Sequence, residues 1–103
     1  MVNIGLVYST FATQEDAKSV LKNLMREELA TCGNIFTPHI AIYPSWKGDV
    51  CEEQEVAVLF KTSQQNLEGM ISKLREIHPY ELPCILELSA KSLPDYGQWL
   101  IEN

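Results

Sequence analysis

Positive charge is the scarcest property of this 103-residue sequence, with 8 Lys and Arg against 14 Asp and Glu and a formal net charge of −6. Nucleic acid and anionic membrane both select basic surfaces, so neither is expected as a partner. Long apolar runs are also missing, and none approaches the ~20 residues needed to cross a bilayer. No basic, apolar, small-residue leader precedes the first strand-like segment, which makes the cytoplasm the expected compartment. Only three cysteines occur, Cys32, Cys51 and Cys84, widely spaced and without a Cys-x-x-Cys pair. That spacing excludes a zinc knuckle and a thioredoxin-like motif, and predicts free thiols in a reducing compartment. A glycine-rich phosphate loop, a Ser-His-Asp series and a metalloprotease helix motif are absent as well. The chain is therefore read as a non-enzyme without an organic cofactor. The nearest enzyme hypothesis would need Cys32 as nucleophile and His78 as base, two residues that nothing in the sequence brings together.

What is present is ordinary globular composition, 46% hydrophobic and 21% charged. The length suits one hydrophobic core, hence a single domain over residues 1–103. Asn3 to Tyr8 is a short apolar run that reads as a buried strand. Thr13 can cap a helix, with Glu15 and Asp16 against its positive end. Ala17, Val20, Leu21, Leu24, Met25 and Leu29 then recur at helical spacing, with Lys18, Lys22, Arg26 and Glu27 on the solvent side. An extended stretch from Ile35 to Tyr43 follows, with Pro38 placed at an edge or a bulge because it cannot donate to a sheet ladder. Trp46-Lys47-Gly48-Asp49 predicts the reversal of a long hairpin. The return strand spans about Glu53 to Thr62, with Val56, Val58 and Phe60 on one face and Ala57 and Leu59 on the other. Ser63 is expected to start a second helix whose inner stripe is Leu67, Met70, Ile71, Leu74 and Ile77, and Pro79 to stop it at His78. Cys84 to Leu88 reads as a fourth strand, and Leu93 to Ile101 as a short terminal helix.

This order predicts an α+β fold, a ferredoxin-like βαββαβ sandwich with a long hairpin between its second and third strands and a short C-terminal helix. Such a subunit leaves one sheet face bare and offers unpaired strand edges. It also carries 2 Trp and 4 Tyr, more aromatic surface than one thin core readily absorbs, and surplus of that kind marks an interface.

Specific segments sharpen this reading. Glu28-Leu29-Ala30-Thr31-Cys32-Gly33-Asn34-Ile35 resembles the segment joining the first helix to the second strand in the CutA, or divalent-ion tolerance, family. Tyr43, Trp46 and Gly48 resemble that family's aromatic hairpin, and Glu53 and Glu55 with Leu59 and Lys61-Thr62 its third strand. His78-Pro79-Tyr80-Glu81-Leu82-Pro83 is similar to its most diagnostic segment, and Tyr96 with Trp99 to its C-terminal Tyr-x-x-Trp. The resemblance implies a tight homotrimer and a link to copper and other divalent cations. It also implies an alternative, a trimeric small-ligand sensor or an assembly and anchoring scaffold with ligands in intersubunit clefts. The chain departs from the family at three places. Pro44 and Ser45 both stand between Tyr43 and Trp46, where one residue is usual. Gly33 replaces a β-branched residue. The cysteine near Tyr8 and the histidine at Ile77 carried by members discussed as copper binders are missing.

Within the matching segments, Cys32, His78 and Glu81 offer sulfur, nitrogen and oxygen donors, a set suited to copper or another borderline cation. Each also has a structural reading. Cys32 fits a buried inert thiol, and His78 and Glu81 can satisfy backbone groups around a rigid proline. Cys51 sits in the hairpin and Cys84 heads the fourth strand, neither within a family motif. His39, beside Pro38, reads as a structural strand histidine. Glu52, Glu53 and Glu55 read as a solvated or interface-paired face, with Glu53 and Glu55 sharing one side of the strand. Tyr43, Trp46, Tyr80, Tyr96 and Trp99 are expected to pack a trimer or line its clefts.

Overall fold

Alternation sets the first strand. In a computed structural model describing residues 1–103, β1 (Val2–Phe11) points Val7, Ser9 and Phe11 into the interior. It continues three residues beyond the expected end at Tyr8, because Phe11 still finds core to bury in. Thr13 then caps α1 (Gln14–Arg26), accepting a hydrogen bond from the Asp16 backbone N–H at 3.1 Å. Ala17, Val20, Leu21 and Leu24 form the buried stripe of α1. Met25 is exposed instead, and Leu29 lies past the helix end, packed against the core from the connecting turn, where Glu28 takes a positive φ of 60°.

β2 (Cys32–Pro44) and β3 (Val50–Thr62) make the long hairpin. The extra residue between Tyr43 and Trp46 is absorbed in the turn, since Tyr43 pairs with Cys51 and Pro44 with Val50. The ladder breaks elsewhere, between Phe36 and His39, where the Thr37–Pro38 bond is cis. Pro38 thus sits at a bulge on an edge strand, as a residue without a backbone N–H requires. Ser63 does not open the second helix directly. It caps a short 3-10 turn (Gln64–Asn66), and α2 runs from Leu67 to Ile77. His78 follows in extended geometry ahead of Pro79. β4 covers Ile85–Ser92, longer than expected, and α3 covers Pro94–Glu102.

The strands form one antiparallel sheet in the order β2-β3-β1-β4, the ferredoxin-like arrangement. Both long helices cover one face, with Leu24, Met70 and Leu74 packed against Val7, Val58 and Phe60 in a single core. Because side chains alternate along a strand, the register fixes what the other face shows: Leu6 opposite Lys61 and Leu88, Tyr8 opposite Leu59 and Leu86, Phe36 opposite Ala57. Phe36, Leu86 and Leu88 on it are exposed. Beyond the helices the hairpin projects bare, with Ile40 63% and Ile42 65% exposed.

Candidate functional site

The segment after α2 wraps the end of the sheet, and His78 is its centre. The ring is buried, stacked on Phe11 at 4.4 Å between centroids and tilted against Tyr80 at 5.0 Å. Nδ1 accepts from the Tyr80 backbone N–H at 3.1 Å. Nε2 lies 2.9 Å from the Thr10 carbonyl oxygen, which can only accept, so Nε2 carries the proton. Ser9 Oγ, 3.1 Å from Nε2, donates its own hydrogen to the Cys84 carbonyl at 2.6 Å. The imidazole is neutral and both its nitrogens are used by its own chain, leaving no orphaned buried side-chain group. Ser9 and Thr10 were missed as its partners. The signal was there, since a serine between Val7 and Phe11 on a buried face must find a hydrogen bond.

Burial pushes the His78 imidazole below its ordinary value, partly offset by the Thr10 carbonyl and reinforced by Arg75. The sign follows. The unfolded chain takes up this proton first, so the stability held in neutral His78 is complete above the unfolded value of ~6.5. It is lost as pH falls below that value and levels off once the folded value is passed. Urea unfolding at about pH 7.5 and about pH 5.5 should show a smaller acid loss for His78→Asn than for the wild type. Parallel slopes would assign the acid sensitivity to other groups.

Cys32 is elsewhere. It opens β2 on the uncovered face, half-buried, with Sγ 3.7 Å from the Tyr96 hydroxyl. The hydrogen bonds of His78 run to Ser9, Thr10 and Tyr80, so no Cys32–His78 nucleophile pair exists in the subunit. Glu81 is exposed. No three His, Cys, Asp or Glu side chains of one subunit form a group that could hold a metal ion. The donor set Cys32, His78 and Glu81 is thus not assembled within a single chain.

The aromatic residues divide between two ends. Tyr96 stacks on Trp99 at 5.7 Å beside Lys61, whose Nζ donates to the Tyr96 hydroxyl at 3.4 Å. Burial and then Cys32 raise the Tyr96 phenol. At the other end the Tyr80 hydroxyl donates to Glu55 Oε2 at 3.2 Å, and burial with Glu55 pushes that phenol up to about 12. The carboxylate of Glu53 likewise pushes Tyr43 up to about 12. These phenols are neutral hydrogen-bond donors at neutral pH, unsuited to act as bases. Trp46 stands in the hairpin turn, 90% exposed. His39 faces the same side of the sheet as Glu55, its Nε2 2.9 Å from the Tyr8 hydroxyl, a pairing that strand periodicity alone could not reveal across the bulge. All three cysteines are free thiols.

A family model described as CutA1 divalent ion tolerance protein matches residues 5–103. The divalent-cation tolerance protein CutA of Pyrococcus horikoshii is 37% identical over 99 residues, spanning 95% of this chain and 95% of that protein. The crystal structure of divalent ion tolerance protein CutA1 from Ehrlichia chaffeensis has a TM-score of 0.90 at 31% identity, covering 97% of this chain and 94% of that one. The periplasmic divalent cation tolerance protein CutA from Archaeoglobus fulgidus has a TM-score of 0.83 at 26% identity, covering 94% of each chain. No helix is long and apolar enough to cross a membrane.

Proposed function

This chain belongs to the CutA divalent ion tolerance family, and on that premise we propose that it acts as a non-enzymatic homotrimer in divalent-metal tolerance. The observation that carries the reading is the uncovered sheet face, on which Phe36, Leu86 and Leu88 are exposed beside a bare projecting hairpin. A patch of that extent needs a partner to remain in water as a discrete species, and a second and third copy are the partners the family likeness supports. The proposed compartment is the cytoplasm, in keeping with three unpaired thiols. Sedimentation equilibrium at micromolar concentration should give three chain masses, and a clean monomer would end the architectural reading.

Copper, or another divalent cation, is the proposed ligand, with Cys32 and Glu81 the donors free to take it. Cys32 supplies a soft thiolate and Glu81 a carboxylate oxygen. The remaining donors must come from a neighbouring copy, and His78 joins them only by giving up its bonds to Tyr80 or Thr10. That commitment of His78 favours a second reading, a trimeric small-ligand sensor or assembly scaffold with only an indirect tie to metal. Native mass spectrometry of protein purified without chelators separates the two, by metal, a metabolite or neither accompanying the trimer. Under the metal reading, Cys32→Ser should weaken copper binding at least ~10-fold in chelator competition. Equal affinity in wild type and variant would remove Cys32 from the site and hand the lead to the scaffold.

A further inference from the structure

Three of the five glutamines in this chain gather at one cleft, outside the donor set and the aromatic clusters. The cleft holds about 270 Å³, just under the smallest of typical ligand pockets. α3 forms one wall with Pro94, Gly97, Gln98 and Ile101, whose i, i+3, i+4, i+7 spacing puts them on one side of the helix. The start of β1 supplies Val2, Asn3 and Ile4, and the turn after β3 supplies Ser63, Gln64 and Gln65. Packing fixes these walls. Leu100 of α3 is buried and its carbonyl accepts from the Thr31 hydroxyl at 2.9 Å, while any side chain at Gly97 would run into Val2. Apolar surface is left bare, since Val2 and Ile101 are both exposed.

Charge is missing from the lining. Of the whole chain 21% is charged, yet none of the ten lining residues is Asp, Glu, Lys, Arg or His. Four of them are carboxamides, Asn3, Gln64, Gln65 and Gln98. Gln98 commits Nε2 to Glu102 at 2.9 Å and keeps Oε1 free. No side-chain hydrogen bond of the subunit occupies Asn3, Gln64 or Gln65, and all three are exposed.

We propose that this cleft binds a small uncharged molecule with an apolar body and an amide-type head, such as a carboxamide, lactam or urea. A carboxamide offers both a donor and an acceptor, so its complement is a group that also carries both. An ionised carboxylate only accepts and an ammonium only donates, and neither would meet a countercharge in place of its water. The apolar body covers Val2 and Ile101. The site is built within one subunit and stands apart from the metal and trimer readings.

Cyclohexanecarboxamide, cyclohexanecarboxylate and cyclohexylamine share one ring and, at neutral pH, differ in the charge of the head. Titrated into isotope-labelled protein, the carboxamide should shift the side-chain amide signals of Asn3, Gln64, Gln65 and Gln98 in the nuclear magnetic resonance spectrum, and the shifts should saturate. The carboxylate and the ammonium should bind at least ~10-fold more weakly. Gln65→Glu changes an exposed residue, so the fold should hold while the preference reverses in favour of the ammonium. Equal binding of the three heads, or shifts confined to signals elsewhere, overturns the proposal. So does the absence of a saturable shift at millimolar probe, or unchanged carboxamide affinity in Gln65→Glu. Sedimentation, which decides the trimer, is a separate readout, so the two can fail independently.

Discussion

Phe11→Ala is expected to destabilise the subunit by about 3–5 kcal/mol, as other fully buried aromatic truncations do. The side chain is completely buried. One face of its ring stacks on His78 at 4.4 Å and 13°, and Phe60 meets it edge-on at 6.3 Å. Removing the ring therefore opens a cavity between sheet and helices and uncovers an imidazole whose neutrality depends on being dry. For a domain whose whole stability is of the order of 5–15 kcal/mol, that is about a fifth of the total at the least. Urea unfolding should show a lower midpoint with an unchanged slope. Wild type and variant must be compared at one protein concentration, since assembly makes the midpoint depend on it. Phe11→Leu, which fills most of the volume, should lose far less. If Phe11→Ala costs under ~1 kcal/mol, the neighbours collapse into the space and the His78 enclosure is softer than its geometry implies.

Local signals on this chain were legible where a residue acts on its own neighbours. Thr13 announces the start of α1 because its hydroxyl serves a backbone N–H three residues away, and Pro79 ends α2 by crowding His78. The hairpin was equally plain, since Gly48 adopts a φ of 87° in the turn between its strands. The ferredoxin-like order followed from those elements. What the sequence held back was any contact made across the sheet. His78 reaches Thr10 over 68 positions and Cys32 reaches Tyr96 over 64. The family resemblance put both among possible copper donors, yet only the folded contacts tell that one is buried against Phe11 while the other faces Tyr96 on the opposite side of the sheet. Ser63 misled for a related reason. A capping hydroxyl fits the first turn of either a 3-10 or an α-helix, and packing of Leu67 decides where the wider helix begins.

Trp46→Ala is expected to leave the subunit folded while weakening its assembly about 100-fold or more, near 3 kcal/mol. Trp46 is 90% exposed and its one specific intrachain contact is Lys47, whose Nζ sits 5.2 Å over the ring. Truncating it removes almost nothing from the subunit, so far-UV circular dichroism of the variant should match the wild type. Large aromatics that fill a pocket on a partner carry much of an interface's energy, and the projecting hairpin holds this one farthest from its own core. Trp99 provides the contrast. It is 44% exposed and stacks on Tyr96, so Trp99→Ala should lower both subunit stability and association. Sedimentation across a dilution series measures association, and urea unfolding at fixed concentration measures stability. Trp46→Ala that dissociates at the wild-type concentration would leave its indole outside every subunit boundary. Were Trp99→Ala to do the same with unchanged unfolding, the aromatics would be surface features and the trimer would have to be held by the apolar sheet face alone.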